Sequence, residues 1–312
     1  MCMKKIIKKR IVFPEGEDIR VLKAADFLSK TGIVELFLLG NVKKIYSMAD
    51  RLKLKLENVV VIDHLKSNDL DKFAKKMAQL RKIKICDSLE LIKQNNYFGM
   101  MMLKEGDADI LISGAAHSTK DVLVPAFQIM KKKGKASGAM WMSIDNKHYL
   151  FSDIAVQPDP DSKDLAEIAL LSARTFENIT DKRAKVAMLS FSTKGSAKHA
   201  LINKIKKAVQ IAKKKNTKLI IDGELQLDAA VVHWIGKIKN PKGIIQGDAN
   251  VLIFPDLNSA NIGYKLVERF CDAKATGVII QGLSKPIYDL SRGCSVEDIV
   301  DVAELSLKLD EK

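Results

Sequence analysis

Long apolar runs are missing from this chain. None approaches the roughly 18–20 residues that a membrane-spanning helix requires, so no membrane segment is expected. The basic opening Met1–Arg10 has no apolar stretch of the length a secretory signal needs, and no signal is expected there. Cysteine is sparse. Cys2, Cys86, Cys271 and Cys294 have neither metal-ligand spacing nor the density of a disulfide framework, which predicts a reducing cytoplasm and no metal site. Aromatic residues make up only 6% of the chain, and no helix-turn-helix, zinc-finger or RNP-type signature is present. The net charge of +14 therefore does not read as a nucleic-acid surface, because net charge governs non-specific association and specifies no site. Arginine is scarce as well. Only Arg10, Arg20, Arg51, Arg81, Arg174, Arg183, Arg269 and Arg292 stand among 52 basic residues. In so lysine-rich a chain, a retained arginine marks a candidate position for its planar, always-charged fork.

What is present reads as two globular domains in 312 residues, with 47% hydrophobic and 29% charged side chains. Short apolar strands at Ile11–Phe13, Glu35–Gly40, Val59–Asp63 and Ala108–Gly114 alternate with helical patterns at Ile19–Ser29, Val42–Leu52, Asp71–Arg81 and from Gly99 to Glu105. A further helix runs to about Met130. That alternation predicts an α/β fold with mostly parallel sheets flanked by helices. The polar, glycine-interrupted Lys131–Lys135 reads as a crossing into a second domain. There, strands are expected at Ala139–Ser143, Tyr149–Phe151, Val186–Ser190, Leu219–Ile221, Asn250–Phe254 and Gly277–Ile280.

Polar clusters follow Ser113, Ser190, Ile221, Phe254 and Ile280, each ahead of a helix. In a parallel sheet such loops gather at the carboxyl edge, where ligands bind. The stretch Gln281–Asp298 is the richest, with Ser291, Arg292, Cys294, Ser295 and Asp298 before a helix start that can attract an anion. Ser295-Val296-Glu297-Asp298 also fits a capping box, so Asp298 has a structural reading beside a chemical one. Ser192-Thr193-Lys194-Gly195, between a strand and a long helix, is a candidate phosphate cradle without Walker-loop order.

Taken together, these motifs resemble the phosphate acetyl/butyryl transferase family. The likeness is carried by Phe13-Pro14-Glu15-Gly16-Glu17-Asp18, Gly106-Asp107-Ala108-Asp109, Ser113-Gly114-Ala115-Ala116-His117-Ser118-Thr119 and Met188-Leu189-Ser190-Phe191-Ser192-Thr193-Lys194-Gly195-Ser196. It continues through Asp222-Gly223-Glu224-Leu225-Gln226-Leu227-Asp228, Phe254-Pro255-Asp256-Leu257-Asn258 and Asp289-Leu290-Ser291-Arg292-Gly293-Cys294-Ser295. The resemblance implies reversible acetyl transfer between acetyl phosphate and coenzyme A, by direct thiolate attack in a ternary complex. It implies two α/β domains, 1–136 with 279–312 and 137–278, with the active cleft between them, and a homodimer. Asp298 is implied as the base, Arg292 as the essential arginine and Ser291 as its hydrogen-bonding neighbour. Arg20, Arg81, His117, Ser118, Thr119, Ser192, Thr193, Lys194, Gly195 and Asn258 are implied contacts for coenzyme A and phosphate. Coenzyme A, acetyl phosphate and phosphate enter as substrates, and no tightly bound cofactor is implied.

The chain departs from the family pattern at four places. Val124 stands where an arginine usually precedes Pro125, Ile83 falls in an otherwise basic run, Val278 replaces a proline and Tyr288 an asparagine. Valine cannot pair with a phosphate, so weaker coenzyme A binding is expected unless a lysine compensates. A longer acyl substrate such as butyryl, and a non-catalytic acyl-CoA-binding regulator, are the competing readings. Retention of Ser291, Arg292 and Asp298 argues against the regulator.

Overall fold

The computed structural model describes residues 8–132 and 134–310. The chain begins with β1 (Lys9–Phe13), α1 (Ile19–Lys30), β2 (Val34–Leu39), α2 (Val42–Arg51) and β3 (Val59–Ile62). Next come α3 (Leu70–Arg81), α4 (Ile85–Ile92), α5 (Asn95–Glu105), β4 (Ile110–Ser113) and α6 (Thr119–Met130). A second group follows: β5 (Ser137–Ile144), β6 (Lys147–Ser152), α7 (Ser162–Thr180), β7 (Lys185–Leu189), α8 (Ala200–Lys215) and β8 (Ile220–Leu225). It continues with α9 (Leu227–Val231), α10 (His233–Lys239), β9 (Val251–Ile253), α11 (Leu257–Phe270) and β10 (Lys274–Gln281). The chain closes with β11 (Ile287–Asp289) and α12 (Val296–Asp310). Two compact units result. One takes the chain up to Lys131 and from Leu283 onward, and the other is Lys132–Gly282. Both are mixed α/β, and among the described residues no helix is long and apolar enough to cross a membrane.

In the first unit the strands run β3-β2-β1-β4-β11, every neighbouring pair parallel. β4 is buried along its length, and Ile11, Val12 and Phe13 of β1 are fully buried, as strands covered on both faces must be. Because these strands point the same way, the loops after β1, β4 and β11 leave from one edge. Register brings two of them together: Asp289 lies opposite Ser113, and the Leu290 N–H donates to the Ser113 carbonyl at 2.7 Å.

α6 tolerates Pro125 in its interior for an identifiable reason. Proline has no N–H for the carbonyl four residues back. That carbonyl, on Asp121, accepts instead from Asn96 Nδ2 at 3.2 Å, and Asn96 Oδ1 accepts from the Ser113 hydroxyl at 2.8 Å. The broken helix hydrogen bond thus becomes a link between α5, α6 and the end of β4.

The second unit has the strand order β10-β5-β6-β9-β7-β8. β5 and β6 form an antiparallel hairpin whose turn, Asp145-Asn146, is left-handed at both residues (φ 45° and 61°), as a two-residue turn of this hand requires. β10 is antiparallel to β5, whereas β6, β9, β7 and β8 are parallel. Met142, Leu225, Ala230 and Ile245 are fully buried in the core of this unit.

Three readings from sequence are corrected. α4 and the first turn of α5 were not anticipated: α4 is only eight residues long, and α5 is buried nearly all round, which removes the polar face that makes a helix legible. β8 extends through Asp222 and Glu224, whose buried carboxyls resemble loop residues in a sequence. The stretch 281–298 is not a single loop after a parallel strand: β10 is antiparallel, and β11 intervenes, so the candidate loop shortens to Leu290–Ser295. Tyr288 belongs to β11 and is completely buried, so that departure falls in the core.

Candidate active site

In the first unit the loop after β4 is wound around one carboxylate. Glu15, from the loop after β1, is 4% exposed. Its Oε2 accepts from the Gly114 and Ala115 N–H groups at 3.0 and 2.8 Å. Its Oε1 accepts from Ala116 N (2.9 Å) and His117 N (2.8 Å), and lies 2.7 Å from His117 Nδ1. A backbone turn that could have cradled an external anion is therefore filled from within. Burial alone would raise the Glu15 carboxyl, but the imidazole and the backbone N–H groups outweigh it and the net shift is downward. The same contact raises His117, against some desolvation.

Arg20, at the start of α1, is equally committed. Nε and Nη2 form a fork onto its own N-cap, Asp18, at 3.0 and 2.8 Å. Nη2 also donates to the Ala115 carbonyl at 2.5 Å. Nη1 donates to the carbonyls of Arg292 (2.7 Å) and Cys294 (3.1 Å).

The loop after β11 is a tight turn, with Cys294 N–H donating to Ser291 O at 2.9 Å and Gly293 N–H to Ser291 Oγ at 3.2 Å. Gly114 permits its close approach: its φ of +113° is disfavoured for L side chains, and a Cβ there would lie 2.5 Å from Asp289 Oδ1 and from the Leu290 carbonyl. Ser291 and Arg292 are exposed. Among the described residues the Arg292 guanidinium has no hydrogen-bond or ion-pair partner, so all its donors remain open. Asp298 is half-buried, and the capping box forms: Asp298 Oδ2 accepts from Ser295 N–H at 2.8 Å, and Ser295 Oγ accepts from Asp298 N–H at 3.0 Å. Only Oδ2 is used, which leaves Oδ1 open among the described residues.

Cys294 is buried, and desolvation pushes its thiol up to about 11, only partly offset by Arg20. That shift favours the thiol over the nucleophilic thiolate at neutral pH. Asp289 is 1% exposed, its Oδ1 has no partner, and burial lifts its carboxyl to about 7 despite the Thr119 hydroxyl. Ser118 is the N-cap of α6, in a capping box with Asp121. Arg81 is exposed at the end of α3 beside Tyr97, whose hydroxyl bonds Gln128.

In the second unit the loop after β7 follows the same plan. Glu224 is fully buried, and its Oε1 accepts from Gly195 N–H at 2.7 Å and Ser192 Oγ at 3.3 Å, while its Oε2 has no hydrogen-bond partner among the described residues. Lys194 and Gly195 are left-handed (φ 49° and 87°), which bends the loop around that carboxylate. Ser192 Oγ also accepts from Ala197 N–H, and Thr193 Oγ1 from Gln226 N–H. Lys194 Nζ pairs with Asp222, whose carboxyl burial would raise but Lys194 and Asn240 lower. The candidate cradle is thus internally satisfied, with Lys194 on its outside. Asn258, in the first turn of α11, is exposed and unengaged among the described residues.

Sequence reasoning did not single out Glu15, Asp18, Asp222, Glu224 or Asp289. Asp18 lies at a helix start, where the structure makes it the cap of α1. The others acquire partners only through strand pairing between distant segments. Among the described residues no group of three or more His, Cys, Asp or Glu side chains is placed to hold a metal.

Comparison with known proteins bears on the family. The family profile described as Phosphate acetyl/butaryl transferase matches residues 2–307. The phosphate acetyltransferase of Thermoanaerobacterium thermosaccharolyticum is 49% identical over 307 residues, covering 95% of this chain and 93% of that protein. The EutD phosphotransacetylase of Staphylococcus aureus superposes with a TM-score of 0.90 at 42% identity, covering 96% of this chain and 94% of the other. A phosphotransacetylase of Streptococcus pyogenes gives a TM-score of 0.91 at 39% identity, covering 99% and 98%. The chain therefore belongs to the phosphate acetyl/butyryl transferase family.

Proposed function

We propose that this chain catalyses reversible acetyl transfer between acetyl phosphate and coenzyme A. The observation that carries the reading is the turn Leu290–Ser295, which offers a guanidinium with all its donors open close in sequence to a carboxylate with one oxygen open. The Asp298 carboxylate takes the proton of the coenzyme A thiol, as an acyl-transfer base must. The sulfur attacks the acetyl carbonyl carbon, and Arg292 and the Ser291 hydroxyl stabilise the charge that develops on oxygen. The bond to phosphate then breaks, and phosphate leaves with the electron pair. Transfer is proposed as direct, and the burial that raises the Cys294 thiol does not favour that residue as an acyl carrier. Arg81, His117, Ser118, Thr119, Asn258 and the loop Ser192-Thr193-Lys194-Gly195 are proposed to hold coenzyme A and phosphate. The test is thioester formation with acetyl phosphate and butyryl phosphate in parallel. Faster turnover with acetyl phosphate supports the reading, and a preference for butyryl phosphate overturns it.

Val124 limits coenzyme A affinity in this proposal. It is 37% exposed on α6, and Lys120 lies one turn earlier on the same face. A lost charge–phosphate hydrogen bond is worth roughly 1.5–3 kcal/mol, or about 10- to 150-fold in affinity. Val124→Arg is expected to tighten coenzyme A binding at least ~10-fold by calorimetry. An unchanged dissociation constant would mean that Lys120 or another cation already fills that role.

The homodimer that the resemblance implies has a candidate face on α11, where Ala260 is the one buried residue. Ile262, Leu266 and Phe270, at successive helical turns, are 58, 51 and 82% exposed, a stripe that water disfavours. Light scattering is expected to give twice the 34.7 kDa chain mass, and the chain mass after Leu266→Glu with Phe270→Glu. A wild-type monomer would remove the dimer. We place the reaction in the cytoplasm, a setting that suits free thiols at Cys86, Cys271 and Cys294.

A further inference from the structure

The fork of Arg20 has no capacity left for a ligand. A guanidinium carries five N–H donors. Here two go to Asp18, one to the Ala115 carbonyl, one to the Arg292 carbonyl and one to the Cys294 carbonyl. These acceptors lie on three of the loops that leave the edge of the first sheet, those after β1, β4 and β11. Asp18 is itself fixed, since it caps α1 by accepting from Arg20 N–H at 2.8 Å. The middle loop is fixed independently by four backbone N–H groups on Glu15. Arg20 thus joins two anchored loops to the third, and two of its five bonds fall on the backbone of the turn that carries Ser291 and Arg292. Among the described residues the Arg292 side chain makes no bond of its own. Where its guanidinium projects is therefore set by its backbone, and Arg20 holds that backbone.

We propose that Arg20 is a positioning residue for acetyl transfer: it fixes the turn from which Ser291 and Arg292 project and does not touch substrate. This replaces the substrate contact implied at Arg20 by the resemblance, and it rests on the acetyl-transfer reading. Lysine cannot substitute, because a tetrahedral ammonium has three donors and cannot make the fork on Asp18 while reaching three carbonyls. Removing Arg20 leaves the carbonyls of Arg292 and Cys294 without their donor and frees the turn to shift. A displacement of about 1 Å at a reacting group costs on the order of 10²-fold in rate.

The test uses the full chain with Arg20→Ala, Arg20→Lys and Asp18→Asn, each alone and combined with Arg292→Ala. Turnover of acetyl phosphate is expected to fall ~10²-fold in Arg20→Ala and to recover little in Arg20→Lys. The calorimetric dissociation constant of coenzyme A and the KM for acetyl phosphate should stay within about threefold, a shift of under ~1 kcal/mol. On the Arg292→Ala background, Arg20→Ala should cost much less than it does alone, because one of the two groups it positions is already gone. Loosened coenzyme A or acetyl phosphate binding with turnover retained would make Arg20 a substrate contact. Full turnover, or multiplying losses in the double variant, would also overturn the proposal. If Arg20→Ala does not fold, Asp18→Asn is decisive, since it weakens the fork and leaves the guanidinium in place. A second readout needs no activity. Hydrogen exchange at the Leu290 and Cys294 amides, bonded to Ser113 O and Ser291 O, should accelerate in whichever variant is folded. Unchanged exchange there would refute the positioning role, whereas a wild type without turnover would refute only the acetyl-transfer reading.

Discussion

Arg292→Ala is expected to lower turnover about 10²–10³-fold, the usual cost of removing one donor to a developing oxyanion. The fold gives no reason for any other loss. The guanidinium is exposed and bonds nothing among the described residues, and the contact at residue 292 that the fold uses is the backbone carbonyl accepting from Arg20, which alanine keeps. Stability should therefore move by no more than ~0.5 kcal/mol, as at an ordinary surface site. Coenzyme A affinity should hardly change, since the lost interaction is one made in the transition state. Steady-state kinetics and a thermal melt check both halves. Near-normal turnover would take Arg292 out of the mechanism.

Asp298→Asn should lower turnover about 10²–10⁴-fold, the range for loss of a general base. The substitution separates two roles that the geometry superimposes. The cap uses Oδ2, and an asparagine amide oxygen can accept the same Ser295 N–H. What asparagine cannot do is take a proton. The helix should lose only the ~0.3–1 kcal/mol of a charge at an N-terminus, while turnover falls and coenzyme A binding holds. Asp298→Ala removes the cap as well and should cost a further ~0.5–2 kcal/mol if the box contributes as caps usually do. If Asp298→Asn turns over normally and Asp298→Ala is merely unstable, the residue is a cap.

The elements that announced themselves in the sequence were those with a clear period or a clear boundary. β1 and β4 are short apolar runs bounded by turn residues, and α1 has its cap at Asp18 and buried residues at helical spacing. β11 is three residues long and sits within a polar stretch, so nothing local marks it; its evidence is the parallel register with Leu111, Ile112 and Ser113, supplied from far away in the chain. The same holds for the interior of the candidate site. Ser291, Arg292 and Asp298 could be named from their loop because their side chains face outward. Glu15 and Glu224 could not be distinguished from ordinary surface acids. Their function in the fold, to accept from the N–H groups of a neighbouring loop (four for Glu15, one for Glu224), depends on a partner about 100 residues away for Glu15 and 29 for the Gly195 contact of Glu224. Arg20 was legible as a candidate, but its bonding was not, since its partners include carbonyls more than 270 residues distant.

Both buried acids also alter how a strand–loop–helix phosphate motif should be read in this chain. The loops 114–117 and 192–197 have the composition of anion cradles, yet their N–H groups close on the protein itself: on the Glu15 carboxylate in the first, and on the Glu224 carboxylate and the Ser192 and Ser196 hydroxyls in the second. The exposed donors that remain are side chains, Arg292 in one unit and Lys194 in the other. Lys194 is paired with Asp222, so phosphate binding there would proceed by competition for an existing ion pair.

The most direct test of direct acetyl transfer is an initial-velocity matrix, with acetyl phosphate and coenzyme A varied against each other and thioester followed continuously. The account predicts turnover with intersecting double-reciprocal lines, no acetylated protein after acetyl phosphate alone, and the same pattern in Cys294→Ala. Parallel lines with an isolable acetyl-protein would contradict direct transfer, and no thioester anywhere in the matrix would contradict the assigned reaction itself.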